Sequence, residues 1–216
     1  VALNEQILET LIEQELINQG AAALNVTISQ EAIQTEIDTL KAAAGSEESW
    51  QTWLSQNNMT ESELPLVQRE TLLTQGVRNA LLQPYLGPVA QVQARHILLD
   101  DEATARAVLD QLAAGGDFVA LAAEFSEDTT TRETGGDLGW FTAVELVDSD
   151  LADLAFRLDV GLIAGPVESR LGWHIIQVLD KAQREIEVER LPLLQVNIFN
   201  TWLAQQYNNA QIERNL

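Results

Sequence analysis

The hydrophobic pattern of this chain changes period twice, which excludes a single uniform layer of helices or strands. Helical stripes at both ends flank a middle stretch whose apolar residues run in strand-like blocks. Ile7, Leu8, Leu11, Ile12, Leu16 and Ile17 recur at the 3.6-residue period of a helix that Asn4 is placed to cap. The β-branched connector Leu24–Ile28 ends it. Ser29 caps a second helix carrying Ile33, Ile37 and Leu40 and stopping near Gly45. Ser46, followed by Glu47 and Glu48, starts a third around Trp50, Trp53 and Leu54, a pair of tryptophans read as packing rather than as an adhesive surface. Thr60 and Glu63 have the T-x-x-E spacing of a capping box, opening a long fourth helix through Leu72, Val77, Leu81 and Leu82. Pro65 falls late for a first-turn proline, so a kink or a later start is expected. Pro84, Gly87 and Pro88 close the segment near Leu86.

The middle reads differently. Val92–Leu99 is strand-like and ends in an acidic turn at Asp100 and Asp101. Two helices are expected at about Ala103–Ala114 and Asp117–Ala123, then a polar loop over Ser126–Gly139. A helix around Asp150–Leu158, a turn at Gly165–Pro166 and a short strand follow. Trp173–Val178, within Gly172–Leu179, has the composition of a buried strand. From about Glu189 the helical stripe returns in Leu193, Leu194, Val196, Ile198, Phe199, Trp202 and Leu203. Such a stripe needs a partner surface, and the N-terminal helices expose a matching one. The expected organisation is α+β. A helical domain is assembled from residues 1–88 and 183–216, and a domain with a small antiparallel sheet and surrounding helices, residues 89–182, is inserted between them.

Composition narrows the function classes. Twelve basic against 33 acidic residues leave a net charge of −21, which repels nucleic-acid phosphates and reads as a solvated acidic surface. Cysteine is absent, excluding disulfides, thiol catalysis and the usual zinc cages. No run approaches the ~20 apolar residues of a membrane span, and no basic-then-apolar leader is present. The chain opens on Val1 rather than Met, so a signal or anchor is expected upstream of this sequence.

The middle segment carries an ordered set of short motifs. They are Ala94-Arg95-His96-Ile97-Leu98-Leu99, Phe125-Ser126-Glu127-Asp128, Gly135-Gly136-Asp137-Leu138-Gly139-Trp140-Phe141, Ala155-Phe156, Gly165-Pro166-Val167 and Leu171-Gly172-Trp173-His174-Ile175-Ile176. In this order the segment resembles the parvulin family of peptidyl-prolyl cis/trans isomerases. The flanking helices look like the chaperone domain of the SurA and PrsA foldases, a likeness of pattern more than of motif. The resemblance implies prolyl isomerisation and chaperoning of unfolded or proline-containing polypeptides outside the cytoplasm, in the periplasm or at the cell surface. It makes His96 and His174 paired core histidines on neighbouring strands, with Asp128 where the family carries aspartate or cysteine. Leu138, Leu146, Leu151, Phe141 and Phe156 would form the proline pocket. Leu151 stands where many active members have an aromatic, and the spacing from Leu146 to Leu151 is one residue longer than usual.

The chemistry such a site performs needs no metal, cofactor or nucleophile. An X-Pro bond crosses a barrier of ~20 kcal/mol because the twisted amide loses its resonance. An apolar grip on the proline ring and a wall of fixed dipoles suited to the twisted amide supply what is needed. Taken without the family order, two histidines on apolar strands are more often satisfied core residues. A zinc site of His96, His174 and Asp128 lacks ligand spacing, and the glycine run 135–139 lacks the lysine and strand-to-helix context of a phosphate loop. The competing function is a chaperone, non-catalytic or weakly catalytic, whose middle domain grips proline-containing segments but turns them over poorly. Leu151 favours that chaperone; His96, Asp128, Leu138 and His174 favour the enzyme.

Overall fold

The computed structural model describes residues 2–146 and 148–214. In chain order the elements are α1 (Ala2–Ala23), α2 (Gln30–Ala44), α3 (Glu47–Gln56), α4 (Leu64–Leu82), β1 (Val89–Leu99), α5 (Glu102–Ala113) and α6 (Phe118–Phe125). There follow β2 (Asp137–Phe141), α7 (Ser149–Arg157), β3 (Ile163–Ser169), β4 (Gly172–Arg184) and α8 (Leu191–Asn209). They form two compact units, Val1–Pro84 with Gln195–Leu216, and Tyr85–Leu194. The helical unit is thus built from both chain ends and interrupted by the α+β unit.

Local capping sets the helix ends of the first unit. Ser29 and Ser46 accept from the amides of Ala32 and Ser49, and Gly45 takes the left-handed conformation (φ +77°) that stops α2. The Thr60 amide and hydroxyl both donate to Glu63 Oε2, at 2.8 and 2.6 Å. α4 nevertheless starts at Leu64, which puts Pro65 in the first turn, where its missing N–H leaves no hydrogen bond unmade. The later start is therefore realised, and no kink is required. Asn4 lies within α1 rather than at its cap.

Ile17 and Ala21 of α1, Leu73 and Val77 of α4, and Phe199 of α8 form one buried cluster, with Trp202 and Leu203 against it. Gly20 matters there: a Cβ would fall 2.2 Å from the Trp202 ring, so only glycine lets α1 and α8 approach this closely. A second cluster joins Ile33, Ile37, Trp50, Leu54 and Leu64. Trp50 is buried there, stacked on Trp53 at 5.2 Å, and its indole N–H donates to Glu61. No helix among the described residues is long and apolar enough to cross a membrane.

The second unit is a four-stranded antiparallel sheet in the order β2-β1-β4-β3. β1 and β4 pair along their whole length, from Val89 opposite Arg184 to Leu99 opposite Trp173. Because strand side chains alternate, β1 and β4 feed two separate clusters. Ile97, Leu99 and Ile175 pack under α5 and α6, while Val92, Ala94, Ile176 and Val178 pack under α7 with Phe141. Two expectations need correction. The loop expected over 126–139 ends in β2, which starts at Asp137, because these residues complete the β1 ladder. Gly165–Pro166 is no turn; it sits inside β3 at a register shift between Ala164 and Val167. The proline is tolerated there because β3 is an edge strand.

Candidate active site

The alternation that sorts the core also places the histidines. His96 follows Val92 and Ala94 at even spacing on β1, and His174 precedes Ile176 and Val178 on β4, so both rings face the α7 side. The register sets His96 opposite Ile176 and Leu98 opposite His174. The two histidines are therefore diagonal neighbours, within reach of each other's rings. Their Nδ1 atoms are 3.2 Å apart, the ring centroids 5.4 Å apart and the planes 20° from parallel. Both are buried.

Asp128 reaches His96 from the loop after α6. That loop takes over the β1 ladder where β2 leaves it. The His96 amide donates to the Gly136 carbonyl, the Leu98 amide to Ser126 Oγ, and the Glu127 amide to the Leu98 carbonyl. Gly136 (φ +80°) is needed for this approach, since a Cβ would lie 1.9 Å from the His96 carbonyl oxygen. His96 Nε2 then sits 2.8 Å from Asp128 Oδ2, which also accepts from the Thr131 hydroxyl at 2.6 Å. Asp128 Oδ1 accepts from the Thr130 amide and hydroxyl, at 3.0 and 2.6 Å. Burial alone would raise this carboxyl, but hydrogen bonds from Thr130, Thr131 and His96 outweigh it and hold it well below the usual carboxylate range. On the far side His174 Nε2 is 2.7 Å from Ser169 Oγ, which accepts from the Leu171 amide.

The fixed carboxylate sets the first proton of this chain. Asp128 only accepts, so His96 Nε2 donates to it; in the singly protonated tautomer His96 Nδ1 is left as an acceptor. His174 Nδ1 must then donate to His96, and its Nε2 accepts the Ser169 hydroxyl proton. In that tautomer every proton serves one bond and all bonds point toward Asp128. Burial, aided by the neighbouring His96, pushes His174 down to about 4, consistent with a ring kept uncharged at neutral pH.

The chain opens onto a cavity of about 500 Å³. His96, His174, Leu138, Leu146 and Leu151 line it. Asp128 does not; it stands behind His96. Phe141 and Phe156 also lie away from the lining, in the α7 cluster and edge-to-face at 6.3 Å. Val147, in the lengthened Leu146–Leu151 spacing, falls outside the described residues. Among the described residues no group of three or more His, Cys, Asp or Glu is set to hold a metal.

Several lining or supporting residues were not singled out from the sequence: Thr130, Thr131, Ser169, Arg170 and the pocket acids Glu145 and Asp148. Asp148 caps α7 by accepting from the amides of Asp150 and Leu151. Glu145 had a legible signal, because Thr142 and Glu145 repeat the T-x-x-E spacing of Thr60 and Glu63. Here too the threonine amide and hydroxyl donate to the glutamate, at 2.7 and 3.0 Å.

Residues 84–182 match the PPIC-type PPIASE domain family, and residues 1–78 the SurA-like N-terminal domain family. The chain is similar to the Foldase protein PrsA of Halalkalibacterium halodurans, with 36% identity over 203 residues that make up 86% of this chain and 60% of that protein. It is 29% identical over 211 residues to the Foldase protein PrsA of Oceanobacillus iheyensis, covering 94% of this chain and 70% of that one. In fold it resembles the crystal structure of a peptidylprolyl isomerase (PrsA) from Bacillus anthracis, with a TM-score of 0.64, 23% identity, and 97% and 99% of the two chains covered. The two-histidine site thus lies within the part of the chain that matches the PPIC-type PPIASE domain family, the N-terminal helices match the SurA-like N-terminal domain family, and the chain spans less than two thirds of the length of the Halalkalibacterium halodurans foldase.

Proposed function

We propose that the unit of residues 85–194 catalyses cis/trans isomerisation of X-Pro bonds in unfolded polypeptides. The helical unit holds those clients, and both work outside the cytoplasm. The observation that carries the reading is the hydrogen-bonded chain Ser169–His174–His96–Asp128 opening onto a cavity floored by Leu138, Leu146 and Leu151. The leucines offer a proline ring an apolar seat. The histidines form a polar wall that carries dipoles but no net charge, so it does not draw water into the seat. Asp128 is the group that keeps those dipoles pointing one way. A wall of fixed direction favours the twisted amide only if it need not reorganise when the amide turns. His96, His174 and Asp128 are the catalytic wall in this reading, and Leu138, Leu146 and Leu151 bind the proline, with Phe141 and Phe156 supporting that seat from the core.

The match of residues 84–182 to the isomerase family supports an enzyme over a binding-only module. The test is an isomerisation assay on the whole chain with short proline peptides, whose uncatalysed exchange takes tens to hundreds of seconds. Wild type should accelerate exchange. Asp128→Ala, which frees the direction of the dipoles, should lower kcat/KM roughly tenfold, as losing a hydrogen bond to a charged group does. A wild-type rate equal to the uncatalysed one defeats the proposal.

A further inference from the structure

We propose that Arg190, which lies beyond the matched segment 84–182, is a positioning residue for the proline pocket, holding the Thr142–Leu146 wall through Glu145. Glu145 and Leu146 both line the cavity. The Glu145 carboxylate is gripped on one side by its own turn, through the Thr142 amide and hydroxyl. On the other it takes the guanidinium fork of Arg190, whose Nη2 lies 2.7 and 2.6 Å from Oε1 and Oε2 and whose Nε lies 3.1 Å from Oε1. The pair is mostly buried, with side chains 27% and 19% exposed. Arg190 is in turn anchored by the Glu187 carboxylate and reaches Gln91 Oε1 at 3.5 Å. Gln91 is fully buried on β1, and its Nε2 donates to the carbonyls of Arg184 and Glu185. One guanidinium therefore ties the pocket wall to the central strands.

Removing it leaves a carboxylate beside an apolar cavity in a chain of net charge −21. Glu145 then turns outward to water, and Leu146, the next residue, moves with it. The histidine chain has no contact with Arg190 and stays intact. The consequence is a loosened seat with an unchanged wall of dipoles, so substrate binding suffers and turnover does not.

This inference rests on the isomerase reading, and the experiment separates the two. The 216-residue wild-type chain, Arg190→Ala, Arg190→Lys, Glu145→Gln and the Arg190→Ala/Glu145→Gln double variant are assayed on one proline tetrapeptide. Amide hydrogen exchange of each is followed in parallel. KM should rise roughly fivefold in Arg190→Ala and Glu145→Gln with kcat within about twofold, and the double variant should be no worse than the poorer single one. Arg190→Lys should recover only part of the loss, because an ammonium cannot form the fork. Exchange at the Glu145 and Leu146 amides should quicken while β1 and β4 stay protected. Equal KM and unchanged exchange at these amides overturn the inference, as does faster exchange throughout the sheet, which marks general destabilisation. An inactive wild type whose Glu145 and Leu146 amides still respond to Arg190→Ala defeats the isomerase reading and leaves the tether standing. Should Arg190→Ala fail to fold, Glu145→Gln carries the same comparison.

Discussion

The two faces of the central sheet are made by the same two strands and do opposite things. Under α5 and α6, Ile97, Leu99 and Ile175 are sealed with Val108, Leu112, Phe118 and Leu121 into an apolar core. On the other face Val92, Ala94, Ile176 and Val178 begin the same way, against Phe141, Leu151 and Ala155. There the cover runs out. α5 and α6 have twelve and eight residues, whereas the other face has only the nine of α7. The next positions on the uncovered stretch are His96 and His174, and the gap above them is the cavity. The strands supply alternation on both faces, and incomplete cover converts one of them into a site.

Breaking the closed face should have the largest effect and leave the chemistry alone. Ile175→Ala creates a void in a fully buried cluster and should cost about 2–5 kcal/mol of stability. Urea titration followed by the amide signals of β1 and β4 measures it. Where the variant is folded, kcat/KM should match wild type. A large catalytic loss without destabilisation would mean that the two faces are not independent.

The open face should announce itself through pH. His174 is lowered from 6.5 to about 4 in the fold, so between those values the unfolded chain binds a proton that the folded one refuses. Stability should therefore fall as pH drops through that window and stop falling, on this account, below about 4. The amount is about 3 kcal/mol over the whole window. The remaining carboxylates titrate in both proteins, so the informative quantity is the difference between wild type and His174→Gln at pH 7 and pH 4.5. A difference that does not change between the two pH values removes the buried neutral histidine from the account.

The smallest effect sharpens the cavity itself. Leu151 offers bulk without a flat face, and an aromatic contact with the proline ring adds about 0.5–1.5 kcal/mol beyond its buried area. If that contact acts in the twisted state, Leu151→Phe should raise kcat/KM roughly twofold to tenfold. Leu151 lines the cavity from within the buried α7 cluster, so the larger ring reaches the proline only by extending into the cavity. An unchanged rate would mean that the proline ring does not sit over this position.

What the sequence determined by itself was whatever depends on neighbours a few residues apart. The two changes of period marked helical ends around a strand-bearing middle, and the serine, aspartate and glycine caps fall where i to i+3 bonds need them. The apolar blocks around His96 and His174 were enough to assign both to strands. Tertiary structure decided what depends on partners far along the chain. His96 meets Asp128 across 32 residues and His174 across 78, and Arg190 meets Glu145 across 45. Phe141 and Phe156 share the apolar character of Leu138 and Leu146 yet lie in the core instead of lining the cavity. The physical reason is that apolar periodicity records only that a side chain leaves water. Which face it joins, and where the helical cover on that face stops, is set by strand register and by the length of α7, and these exist only once β1 and β4 have paired.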